Sequence, residues 1–219
     1  MPTMQTKSHT YADFVEKFEA KHTTDDCFTP AAVYDKVVAF VASTYGEDPA
    51  TFTRPFWPGE DYTAQDYAGK VVVDNPPFSC LAKILDYYNE RKIKYFLFAP
   101  ALTVFNNLDR CDIVLINRDI VYENGADVKT AFVTNLTSPQ NCKVLFSEEL
   151  TNMITDCYPS KTKPRTPRPA NYWSAVDCIK HRQSIPRSAY KAKQRKTPDG
   201  AQIFGCAAET TIYRKEFKS

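Results

Sequence analysis

The chain has 219 residues, of which 43% are hydrophobic, and a formal net charge of +2. That is enough apolar material for one domain with additions, and no run of about 18 or more apolar residues offers a membrane span. The seven cysteines are scattered and never form C-x-x-C, and His9, His22 and His181 do not stand at ligand spacing, so a disulfide framework and a metal site are set aside and free thiols in a reducing cytoplasm are expected.

The first residues, MPTMQTKSHTYADF, contain no apolar signal-peptide core, so the reading is a cytoplasmic, non-secreted protein. Residues 10–21 read as a helix: Thr10 is a capping residue with Asp13 three positions on, and Phe14, Val15 and Phe18 form one apolar face. A second helix is expected from Thr29 as N-cap and Pro30 as first helical residue. Val33, Val37, Phe40 and Val41 recur in it at helical spacing, and Gly46 and Pro49 end it. Thr51–Arg54 is a short strand candidate, followed by a loop rich in proline and aromatic residues.

Lys70–Asp74 (KVVVD) is a β-branched run of the kind buried on both faces of a sheet. Asn75–Phe78 cannot continue it, because Pro76 and Pro77 have no N–H for the ladder. Ser79 is then the expected cap of a helix carrying Leu81, Ile84, Leu85 and Tyr88. Lys94–Phe98 and Asp112–Ile116 are two further buried strands. Ile120–Tyr122 and Val128–Thr134 flank Asn124-Gly125, a strong turn signal, and should close an antiparallel hairpin. Strands alternating with helices imply an α/β domain over residues 1–158.

From residue 159 the composition changes. Residues 159–219 hold 14 Lys/Arg and 4 Asp/Glu, whereas residues 1–158 hold 14 and 22, so an acidic body carries a basic extension. Pro159, Pro164, Pro167 and Pro169 interleaved with bases favour extended chain, and Tyr172-Trp173 and Ile203-Phe204 are apolar pieces able to dock. The charge fits an arm that follows a phosphate backbone, and equally a solvated tail.

The segment VVVDNPPFS resembles the catalytic motif of amino-methylating DNA methyltransferases, an Asp or Asn followed by Pro-Pro and an aromatic residue. The residue types suit the chemistry. The lone pair of an adenine amine is delocalised into the ring, and two acceptors, the Asn75 side chain and the Pro76 carbonyl, would hold its N–H bonds and free that pair. Pro76 and Pro77 keep the acceptors in place beforehand, and Phe78 offers a stacking surface for a base swung out of the helix.

Two further segments extend the resemblance. Phe28-Thr29-Pro30 is similar to the Thr-Pro helix start with which such enzymes touch the methionine end of S-adenosylmethionine. Pro55, Phe56 and Gly59 match the family's cofactor loop, although Arg54 stands where an acid is usual and the second glycine is absent. Only 15 residues separate Gly59 from Asn75, a shortening similar to that of compact phage-type adenine-N6 methyltransferases. The acid that grips the ribose hydroxyls falls in the missing stretch, with Asp61 or Asp66 as its replacement. Asp74 either contacts the amino-acid part of the cofactor or caps the turn. The resemblance spans roughly residues 25–136.

The resemblance implies a compact Rossmann-like methyltransferase sheet with a terminal antiparallel hairpin, plus the basic C-terminal extension. It further implies S-adenosylmethionine bound by Phe28, Thr29, Pro30, Pro55, Phe56, Gly59, Asp61 and Asn75, with Asn75, Pro76, Pro77 and Phe78 acting on an adenine in DNA. Phe98-Ala99-Pro100 ends a strand where the family lines its base pocket. Tyr122, Glu123 and Asn124 are placed to approach the base and Phe105 and Tyr122 to stack, though a hairpin turn accounts for Asn124 and core packing is the favoured role of the aromatics. Candidate phosphate contacts are Arg165, Arg168, Lys180, Arg182, Lys191, Lys193, Arg195 and Lys196. The competing expectation is a degenerate methyltransferase fold that binds nucleic acid or a protein without catalysis. RNA adenine and protein glutamine remain open as substrates.

Overall fold

A computed structural model of the chain describes residues 28–57, 60–138, 140–158 and 184–186. The expected helix over 10–21, Gly59, the docking pieces near 172 and 203, and all eight candidate phosphate contacts lie outside these residues.

Helix α1 spans Ala31–Tyr45 and buries Val33, Val37, Phe40 and Val41, the stripe legible in the sequence. Gly46 ends it in the left-handed region (φ 71°), with its N–H donating to the Ala42 carbonyl at 3.0 Å. Its start differs from expectation. Pro30 occupies the N-cap position with extended ψ, and Thr29 makes no cap. The Thr29 side chain turns inward, and its hydroxyl is buried with no hydrogen-bond partner among the described residues.

The strands are β1 (Phe52–Thr53), β2 (Val71–Asp74), β3 (Lys94–Pro100), β4 (Asp112–Val121), β5 (Asp127–Thr134), β6 (Cys142–Phe146) and β7 (Ile185–Pro186). They form one mixed sheet in the order β1-β2-β3-β5-β4-β6-β7. β1, β2 and β3 run parallel, β5 enters antiparallel between β3 and β4, and β6 is parallel to β4. β7 pairs antiparallel with β6 and so brings a short piece of the C-terminal segment to the sheet edge.

Alternation along the strands feeds two cores, one on each face. On one face Val72, Tyr95, Leu97, Ile113 and Leu115 meet helix α2 (Leu81–Glu90) through Leu81, Ile84, Leu85 and Tyr88. On the other, Val71, Val73, Phe96, Phe98 and Phe132 meet α1 and helix α3 (Glu148–Thr155). Each fully buried Val, Leu or Phe contributes roughly 1.5–3 kcal/mol, and all four residues of β2 are buried, as a central strand of an α/β sheet requires.

Two further expectations are corrected. Ser79 does not cap α2: Pro77 is extended (φ −60°, ψ 119°), the chain first makes a 3-10 turn over Phe78–Cys80, and Cys80 is the N-cap without a side-chain bond. The prolines hold the backbone extended, so the helix starts at Leu81, one residue later than a cap at Ser79 would set it. Nor is the β4–β5 hairpin terminal. The chain returns as β6 alongside β4, and then enters α3, capped by the Ser147 hydroxyl, which accepts from the Leu150 N–H at 3.1 Å. The apolar end of CKVLF and a serine followed by Glu148 and Glu149 were the signals for this unit.

Cys80, Cys111, Cys142 and Cys157 carry thiols rather than disulfides. Among the described residues no helix is long and apolar enough to cross a membrane, and no group of three His, Cys, Asp or Glu side chains is arranged to hold a metal ion.

Candidate functional site

The carboxyl ends of β1 and β2 meet at one edge of the sheet, the usual place for ligands in open α/β folds. β2 ends at Asp74, and Asn75-Pro76-Pro77-Phe78 leaves the sheet from there. Pro76 is buried, while Asn75, Pro77 and Phe78 are half-buried. Phe78 rests against the core on the α1 face.

Asp74 is the hub of this edge. One carboxylate oxygen accepts from Arg54 Nε at 3.2 Å, and the other accepts from the Phe56 N–H at 2.9 Å. Asp74 thus ties the loop after β1 to the end of β2. Burial raises the Asp74 carboxyl above the ordinary aspartate value, and the Phe56 and Asn75 N–H groups and the Arg54 guanidinium pull it back only in part.

Arg54 is fixed on its faces as well. Its guanidinium carbon lies 4.0 Å from the centre of the Tyr34 ring and 5.3 Å from that of Trp57. Tyr34, from α1, donates its hydroxyl to the Val73 carbonyl at 2.9 Å, and burial pushes its pKa up to about 12. The Trp57 ring lies 6.1 Å from that of Phe28, and both are about half exposed. Phe28 in turn accepts at its carbonyl from the Glu123 N–H at 3.0 Å, which joins the β4–β5 turn to the same edge. The contacts therefore unite Phe28, Tyr34, Arg54, Trp57 and Asp74, although these come from three separate stretches of sequence.

The loop between Arg54 and β2 is braced on the opposite face. Pro55 is buried, and Phe56 packs 5.7 Å from Tyr62 and 6.4 Å from Tyr88. Tyr67 meets the Tyr88 hydroxyl at 3.1 Å and donates to the Tyr62 carbonyl at 2.6 Å. Asp61 is exposed, and its carboxylate accepts from both the Thr63 N–H (2.8 Å) and the Thr63 hydroxyl (2.7 Å), which hold its pKa below the ordinary value. Asp66 likewise accepts from the Ala68 N–H at 3.0 Å. Both acids stabilise turns of their own loop.

Other candidates fall into structural roles. Phe98, Ala99, Phe105 and Tyr122 are core residues. The Asn124 side chain accepts from the Ala126 N–H at 3.0 Å, and Gly125 takes φ 80°, so this pair makes the hairpin turn. A cavity of about 530 Å³ lies at the opposite, amino edge of the parallel strands, between Glu47, Asp48, Lys70, Arg91, Lys92 and Lys94 among others, and is separate from the Asn75 corner.

Sequence reasoning missed Tyr34 and Trp57 and noted Arg54 only as a departure. The signal available was an arginine just past one strand and an aspartate at the end of the next, which has meaning only once the two strands are aligned. No family model, curated protein or solved structure matches this chain.

Proposed function

We propose that the chain is an S-adenosylmethionine-dependent methyltransferase acting on the N6 amine of adenine in DNA, built on a compact Rossmann-like sheet. The observation that most supports this reading is the exit of Asn75-Pro76-Pro77-Phe78 from a fully buried strand at the carboxyl edge of parallel strands, where Arg54 and Trp57 link Asp74 to Phe28. A motif of that composition in an exposed loop would carry far less weight.

The residues at this edge fit the cofactor. The buried Thr29 hydroxyl is without a partner among the described residues, and the Phe28 and Trp57 rings offer apolar surface. When bound, S-adenosylmethionine supplies a methyl group activated by its sulfonium. The chain's own part is to orient the amine. Asn75 and the Pro76 carbonyl accept its N–H bonds, the two prolines hold those acceptors so that no reorganisation accompanies reaction, and Phe78 stacks on the extruded base. The basic residues between 165 and 196 then hold the phosphate backbone, largely without sequence choice.

Incubating the full chain with DNA and methyl-labelled cofactor tests this reading. Label is expected in N6-methyladenine, and Asn75→Ala should reduce the rate by two or more orders of magnitude, the scale for losing a preorganised transition-state contact. Label that is absent, or unchanged in Asn75→Ala, sinks it. A second reading, a methyltransferase fold that binds without catalysis, draws on Arg54 standing where such enzymes carry an acid. Cofactor binding without label transfer would favour it.

A further inference from the structure

Arg54 is held as a ligand-binding arginine is held. Its Nε is spent on Asp74 at 3.2 Å, its faces lie against Tyr34 and Trp57, and its side chain is 31% exposed. A guanidinium so constrained has little orientational freedom left to lose on binding. Its two terminal nitrogens make no hydrogen bond or ion pair among the described residues. The group therefore keeps one unused face, the fork end, whose spacing suits the two oxygens of a carboxylate.

The charges around it fit the same use. With Asp74 buried, a second acid at position 54 would leave two carboxylates together and no cation between them. Arginine instead neutralises Asp74 through one edge and leaves a donor surface on the other. Next to it lies the half-exposed Trp57 ring, with the Phe28 ring against that.

We propose that Arg54 binds the carboxylate of the cofactor's amino-acid part, so that this chain selects its ligand by an anion where an acid at that position would select a cation. The inference rests on the methyltransferase reading. It makes the Arg54–Asp74 pair part of ligand recognition, beyond its role in joining two strands. It also predicts that S-adenosylhomocysteine, which keeps the carboxylate, is retained.

The test is calorimetry on the full chain with S-adenosylmethionine, S-adenosylhomocysteine and decarboxylated S-adenosylmethionine. The two carboxylated ligands should bind roughly 10- to 100-fold more tightly than the decarboxylated one, the range for a charge-assisted contact. The double variant Arg54→Gln/Asp74→Asn leaves no buried charge behind and should remove that preference, with a thermal melt to verify folding. A preference that persists in the folded double variant overturns the assignment. Should that variant not fold, Arg54→Lys, which keeps the charge and loses the fork, should weaken the preference, and an unchanged preference there overturns it equally. Equal affinity for carboxylated and decarboxylated ligands overturns the assignment of Arg54 and leaves the methyltransferase reading standing. Binding of none of the three overturns both.

Discussion

Arg54 Nε and Asp74 Oδ1 stand 3.2 Å apart, joining the end of β1 to the end of β2 across 20 positions of sequence. Asp74 is 4% exposed at its side chain and Arg54 31%, so the carboxylate is the desolvated partner and the guanidinium keeps access to solvent and ligands. That asymmetry governs how the pair responds to pH and to substitution.

Asp74 titrates above the ordinary aspartate value because burial outweighs its hydrogen bonds and its ion pair. The folded chain thus holds this proton more tightly than the unfolded chain. The associated stability is fully present below the ordinary value and is lost as pH rises through the raised one. An NMR titration of the Asp74 carboxyl should find its midpoint above that of the exposed Asp61, and Arg54→Gln should raise it further. A midpoint at or below that of Asp61 would contradict this account.

Arg54→Gln should cost about 2 kcal/mol at neutral pH, because it leaves a buried carboxylate with only its two N–H donors. Asp74→Asn should cost less, since the arginine it strands remains partly solvated. The double variant should lose clearly less than the sum of the two single losses, because it strands no charge, and urea denaturation of all four proteins measures that coupling. Strict additivity would mean that the pair is incidental to stability.

Tyr34→Phe removes the hydroxyl that donates to the Val73 carbonyl, at an expected cost of about 1 kcal/mol. It should also alter the response to alkali. The Tyr34 pKa is pushed from 10.0 to about 12, so the parent loses stability as pH rises between those values, and the phenylalanine variant should lose less. Thermal melts at pH 8 and pH 11, as conditions of the assay, compare the two losses.

Tyr88 is fully buried, with Phe56, Tyr62, Tyr67, Tyr87 and Tyr95 around its ring. It braces the loop that leads from Arg54 to β2. Tyr88→Ala should destabilise by about 3–5 kcal/mol and expose residues 60–70 to proteolysis. Tyr67→Phe, which removes one hydroxyl bridged to Tyr62 and Tyr88, should cost about 1 kcal/mol and loosen the same loop more mildly. Cleavage sites mapped by mass spectrometry distinguish this from general unfolding.

Much of the domain was legible because its signals are local. VVVD, KYFLF and DIVLI are short runs of β-branched and aromatic residues with no polar face, and each is a buried strand. Helix α1 announced itself by spacing and by Gly46, and the hairpin by Asn124-Gly125. The prolines after Asp74 showed where the chain leaves the sheet. Strand β7, two residues long, and β6 with its helix carried weaker signals and were not read.

The sequence by itself determined which segments are apolar on one face or both, where backbone donors are missing, and that Asn75 follows a buried strand. Only the tertiary structure decided which strands are neighbours. The insertion of β5 between β3 and β4, the parallel alignment of β1 with β2, and the meeting of Arg54 with Asp74, Tyr34 and Trp57 all depend on it. The physical reason is range. Propensity, capping and turn chemistry act over a few residues, whereas strand order and register are set by which faces can be buried together across the whole chain.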